Sequence, residues 1–142
     1  MFKRTEGTGA TFRQSVTMHC VDVGVAAALD VDLGYSAADP FAVTASFQTE
    51  YGEVVWTFAR DLLLRGLTRP VGDGDVEVWP AVGFTGAAMV RIEFRSPDGE
   101  LLVETPSRGI TAFVNQTLRL VPAGEESAHL DVDELIDQLL AV

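Results

Sequence analysis

Cysteine is nearly absent from this 142-residue chain: Cys20 is the sole thiol, which excludes an intrachain disulfide framework. No apolar run approaches the roughly 18 residues that a membrane-spanning helix needs. The nearest, Val23 to Leu29, is short, alanine-rich and bracketed by Asp22 and Asp30. Lys3-Arg4 is followed by no apolar segment, so no signal peptide is expected and the default location is the cytoplasm. Positive charge is scarce as well. Ten lysines and arginines face 21 aspartates and glutamates, a net charge of −11. Residues 1–14 carry Lys3, Arg4 and Arg13 against Glu6, but from Gln14 to Ala59 there is no base, against six acids. The last twenty residues hold Glu125, Glu126, Asp131, Asp133, Glu134 and Asp137, again with no base. Nucleic-acid binding requires lysine and arginine to displace counterions from phosphate, and anionic lipid headgroups would be repelled by the same field. A protein partner is the class left standing.

The signatures of catalysis are missing too. The chain has no GxSxG, no P-loop and no dinucleotide fingerprint. His19 and His129 have no CxxC, HxH or HExxH context, so no metal site is expected. Neighbouring strand residues point to opposite faces, which separates His19 from Cys20 and makes a buried structural cysteine the expectation. Asp30 and Asp32 share a strand face and are read as solvated. Asp73 and Asp75 flank Gly74 but lack the glutamate that closes a calcium loop, so this segment is a turn. The expectation is a protein that is not an enzyme and uses no cofactor.

What is present is a core. Apolar residues make up 47% of the chain, enough for one packed domain at this length. Residues 1–14 are read as a flexible tail and residues 15–142 as a single domain. Strand patterning starts near Ser15 with Val16, Met18 and Cys20, and shifts phase at Val21, Val23 and Val25, as at a bulge. Leu29, Val31, Leu33 and Tyr35 alternate with polar residues. Phe41 to Phe47 and Val54 to Phe58 follow as further strands, predicting an antiparallel meander.

Next, Leu62-Leu63-Leu64 forms a short helical run, with Gly66 read as its left-handed C-terminal residue. Arg69-Pro70 stops it, and Gly72-Asp73-Gly74 turns the chain into Val76 to Val78. Ala88 to Phe94 alternates again, and Pro97-Asp98-Gly99 turns it back. Ile110, Phe113, Val114, Thr117, Leu118 and Val121 then follow helical spacing, with Thr105 as the expected N-cap and Pro106 at the first helical position. A last helix is expected over Val132 to Ala141, with Asp131 and Glu134 at capping-box spacing. Its stripe of Val132, Leu135, Ile136, Leu139 and Leu140 fits docking on its own sheet or a subunit contact. The predicted class is α+β: an antiparallel, barrel-like sheet with a short mid-chain helix and two C-terminal helices.

The block from Trp56 to Pro80 is specific. Trp56, Phe58-Ala59-Arg60-Asp61-Leu62-Leu63, Gly66-Leu67, Arg69-Pro70, Gly72, Gly74-Asp75-Val76 and Val78-Trp79-Pro80 resemble the SsgA-like family, the SsgB type included. Tyr35 and Ala38-Asp39-Pro40-Phe41-Ala42-Val43 match upstream; Ser96 to Glu100 and Glu104 to Phe113 match more loosely. These are sporulation and cell-division proteins of filamentous actinobacteria. The resemblance implies a Whirly-like fold assembled as a homotrimer, located at the cell septum. It also implies recruitment of the tubulin-like protein FtsZ, with SsgA-like paralogues as further partners. Single-stranded nucleic-acid binding, which the Whirly relationship alone implies, is the alternative.

Within this block Asp61 either caps the short helix or pairs with Arg65 at i, i+4. Alternatively Arg60, Arg65 and Arg69 make a small basic patch that receives an acidic partner segment. Trp79 is read as core, interface or ligand-facing. The candidate protein-binding residues are Arg60, Asp61, Arg65, Arg69, Asp75 and Trp79.

Overall fold

The computed structural model describes residues 10–21, 27–130, 136, 139 and 140. Of the expected last helix only Ile136, Leu139 and Leu140 are described, helical and exposed; its Asp131–Glu134 capping pair, the tail before residue 10 and the phase shift at Val23 and Val25 lie outside the described residues.

Among the described residues eight strands form one antiparallel sheet. In chain order they are β1 (Thr11–Cys20), β2 (Ala28–Ser36), β3 (Ala42–Thr49), β4 (Gly52–Ala59), β5 (Val71–Asp73), β6 (Val76–Val82), β7 (Ala88–Ser96) and β8 (Gly99–Pro106). Helix α1 (Arg60–Gly66) joins β4 to β5, and α2 (Ser107–Leu120) follows β8. A 3-10 turn spans Glu126–His129. The order across the sheet is β4-β3-β2-β1-β8-β7-β6-β5, two four-stranded meanders joined between β1 and β8.

The sheet curls. β4 and β7 lie five strand positions apart, about 24 Å in a flat sheet at normal strand spacing. Yet the rings of Trp56 on β4 and Phe94 on β7 are 5.1 Å apart, and Phe47 and Phe58 also pack on Phe94 at 5.4 and 5.9 Å. The result is a half-barrel whose concave face collects Val31, Leu33, Val43, Ala45, Val78, Ile92 and Val103, all buried. Strict alternation produces this, because a pleated strand sends every second side chain inward. The expected meander of β2, β3 and β4 is present, β2 pairing with β3 over Val31–Gly34 and β3 with β4 along its whole length.

Only His19↔Glu104 and Cys20↔Val103 pair β1 with β8. Beyond them the strands splay, and α2 covers the opening. Phe113 of α2 packs on Phe12 at 5.9 Å, and Gln14 Nε2 donates to the Gly109 carbonyl at 2.9 Å. Ile110, Phe113 and Val114 are fully buried on this face, each contributing about 1.5–3 kcal/mol of burial.

Several local expectations are corrected. The first strand begins at Thr11, not Ser15, because Phe12 and Gln14 have partners on α2. Thr105 is not an N-cap: it is a buried β8 residue whose hydroxyl donates to the Thr17 carbonyl at 2.9 Å. The helix starts one residue after Pro106, which takes the capping position without a side-chain cap. Gly66 is helical and not left-handed; Leu67 is the C-cap. Its lack of a side chain serves packing, since a Cβ there would collide with Cγ1 and Cβ of Val78. Cys20 is half-buried instead of buried.

Candidate protein-binding surface

The helix-starting residue Arg60 is the first surprise. As the first residue of α1 it stands where an exposed basic side chain was expected, but it is only 3% exposed. Its Nη1 donates to the carbonyls of Thr117 (3.1 Å) and Val121 (2.7 Å), and its Nη2 donates to Glu126 Oε2 at 2.7 Å. The guanidinium also lies 5.1 Å from the centre of the Tyr35 ring. The fork therefore closes the C-terminal end of α2, where unpaired carbonyls and the helix dipole both favour a cation. Arg60 is a bolt between α1, α2 and the segment after α2. It is not part of a surface patch.

This bolt sets the local electrostatics. The hydrogen bond from Arg60 is the main cause that holds the Glu126 carboxyl below the ordinary range, and the Gly124 N–H donating to Oε1 at 2.8 Å adds to it. Burial pushes the Tyr35 phenol up, while Arg60 partly offsets that. The Tyr35 hydroxyl donates to the Pro40 carbonyl at 2.8 Å.

The other candidates are at the surface, in separate places. Asp61 and Arg65 form the anticipated i, i+4 pair at 3.1 Å, with both side chains about half exposed. Asp61 does not cap α1; Ala59 holds that position with no side-chain cap. Arg69 is exposed in the turn after α1, its N–H donating to the Arg65 carbonyl at 3.1 Å. Asp75 lies in the β5–β6 turn, which Gly74 closes with φ +63°. Trp79 is half-buried on the convex face of β6, in register with Arg91. Asp61 and Arg65 thus form a pair on α1, Arg69 follows in the turn after it, Asp75 rims a neighbouring cleft, and Trp79 belongs to another face.

The convex arginines are internally matched. Arg91 Nε donates to Glu104 Oε2 at 2.8 Å, and Arg95 bonds Glu77 and, at 3.3 Å, Glu93. Among the described residues there is no group of three or more histidine, cysteine or carboxylate side chains arranged to hold a metal ion. No described helix is long and apolar enough to cross a membrane.

A feature that motif reading passed over is the edge strand β4. Among the described residues it pairs with β3 alone, and Val54 and Val55 stand about half exposed on it. A readable signal existed: Gly52 to Ala59 contains one charge, Glu53.

Comparison with known proteins matches this architecture. The family model for the Streptomyces sporulation and cell division protein SsgA matches residues 29–126. The sporulation-specific cell division protein SsgB of Streptomyces coelicolor is 47% identical over 110 residues, 77% of this chain and 80% of that protein. SsgB of Salinispora tropica is 45% identical over 112 residues, 77% of this chain and 78% of that protein. The crystal structure of an SsgA-like sporulation-specific cell division protein from Thermobifida fusca superposes with a TM-score of 0.82 at 33% identity, covering 94% of this chain and 98% of that one. The family model over residues 29–126, the identity over most of both chains and the superposed fold place this chain in the SsgA family of sporulation and cell-division proteins.

Proposed function

We propose that this chain is a non-enzymatic cell-division protein that marks the septum site during sporulation and recruits or positions FtsZ by protein–protein binding. The observation that carries this reading is its likeness, across most of the chain, to proteins named sporulation-specific cell division protein SsgB. The chain acts at the septum as a homotrimer, with SsgA-like paralogues as further partners. Three copies raise the effective concentration on a filament without a strong single-site contact. Asp61 and Arg65 on α1, Arg69 in the turn after it, Asp75 at the β5–β6 turn and Trp79 on the convex face supply the contact residues. Arg60 acts behind them by fixing the angle of α1.

Single-stranded nucleic-acid binding on a Whirly-like fold is the competing reading. The net charge of −11 opposes it, as do Arg91 and Arg95, which are engaged by glutamates and so less available to phosphate. Co-sedimentation with polymerised FtsZ, run beside a titration with single-stranded DNA, separates the two. Pelleting without DNA binding supports recruitment; DNA binding without pelleting overturns it.

A further inference from the structure

Edge strands of natural sheets are guarded by lysine, proline, bulges or short length, because their free N–H and C=O groups invite another strand. β4 has none of these guards. It is eight residues long, pairs with β3 without interruption, and contains neither lysine nor proline. Its one charged residue, Glu53, is turned toward β3, where its carboxylate accepts a hydrogen bond from the Ser46 hydroxyl. Val54 and Val55 are about half exposed on opposite faces of the strand.

Beside this edge the half-barrel stays open. A cleft of about 230 Å³, open to solvent, separates β4 from the start of β6. Its walls include Trp56, Phe58, Leu62 and Val76, and its rim carries Asp73 and Asp75. Both aspartates are exposed, and neither forms an ion pair among the described residues. The whole run leading into this edge, Gln14 to Ala59, holds six acids and no base. The site therefore offers backbone pairing along one side, an apolar wall for alternate side chains, and uncompensated negative charge at its end.

We propose that the free edge of β4 receives an extended segment of a protein partner bearing alternate apolar residues and lysine or arginine. The segment pairs with the β4 backbone, seats its apolar side chains against Val54 and Trp56, and places its cation between Asp73 and Asp75. This is strand addition, in which main-chain bonds give affinity and alternate side chains give specificity. It rests on the reading of this chain as a partner-binding protein, and it names the chemistry of the partner at one site.

The test uses the full chain, isotope-labelled, titrated with a capped synthetic peptide of alternating lysine and valine. Saturable binding is expected to slow hydrogen exchange at amides within Gly52–Ala59, and Asp73→Asn with Asp75→Asn is expected to weaken it about tenfold. A peptide with glutamate for lysine, and one N-methylated along its backbone, are expected not to bind. Equal binding of the glutamate peptide, or shifts confined to other strands, would overturn the proposal. So would β4 amides already protected without peptide in a protein whose mass rises with concentration, since a second copy would then hold the edge. FtsZ pelleting that persists at saturating peptide overturns this site as the FtsZ contact while leaving recruitment standing. Peptide binding at β4 with no FtsZ pelleting supports the site and removes FtsZ as the partner.

Discussion

Arg60 Nη2 and Glu126 Oε2 lie 2.7 Å apart across 66 residues of chain, and the same guanidinium holds the Thr117 and Val121 carbonyls. One side chain thus ties the start of α1, the end of α2 and the 3-10 turn together. Removing it strips the donor from the Val121 carbonyl and from Glu126 Oε2, while the Thr117 carbonyl keeps the Val121 N–H and Glu126 Oε1 keeps the Gly124 N–H. Arg60→Met is expected to destabilise the protein by about 2–4 kcal/mol, measured by urea unfolding. Lysine keeps the charge but not the fork, so Arg60→Lys should recover only part of the loss.

The surface pair behaves differently. Asp61 and Arg65 are about half exposed, and such i, i+4 pairs contribute about 0.3–0.5 kcal/mol. Arg65→Ala should leave the unfolding midpoint almost unchanged. A fall in partner binding by that variant would then report on the contact and not on folding.

The Glu126 carboxyl gives the fold a pH dependence of known sign. Its folded-state pKa is lowered, first by the Arg60 hydrogen bond. As pH falls the unfolded chain takes up this proton before the folded one does, so the stabilisation is full above the ordinary glutamate range. It is lost as pH drops through the lowered folded value. Glu126→Gln should flatten this part of the acid limb in pH-dependent urea titrations and lower stability at neutral pH. An unchanged acid limb would show that the carboxylate has no such role.

Gly66 packs so closely on Val78 that an added methyl has no room. Gly66→Ala should destabilise by about 1–3 kcal/mol through overpacking, even though alanine favours helices. Val78→Ala in the same chain should relieve part of that cost. Additive losses in the double variant, read by thermal unfolding, would contradict the packing account.

The sheet was legible because alternation is a local signal: Val31-Leu33-Tyr35 and Val90-Ile92-Phe94 state their inner face outright. The turn at Gly74 and the helix face of Ile110, Phe113 and Val114 were legible for the same reason. Long-range partners were not. Nothing near Arg60 in the sequence announces that carbonyls more than fifty residues later will enclose it, so it read as a surface base. The packing role of Gly66 is hidden in the same way, since its neighbour Val78 arrives only when β6 docks. The onset of β1 at Thr11 depended on Phe113, a contact across the chain. The β4 edge was half legible: its lack of charge shows in the sequence, but its place at the sheet border needs the topology.

On the proposed reading this chain acts by binding a division protein. The most direct test is co-sedimentation of the wild type with polymerised FtsZ at physiological salt, beside the charge-reversed variant Arg65→Glu/Arg69→Glu. Saturable pelleting of the wild type, reduced about tenfold in a variant that remains folded, is the predicted result. No pelleting of the wild type, or equal pelleting of both proteins, would contradict the account: the first its partner, the second its surface.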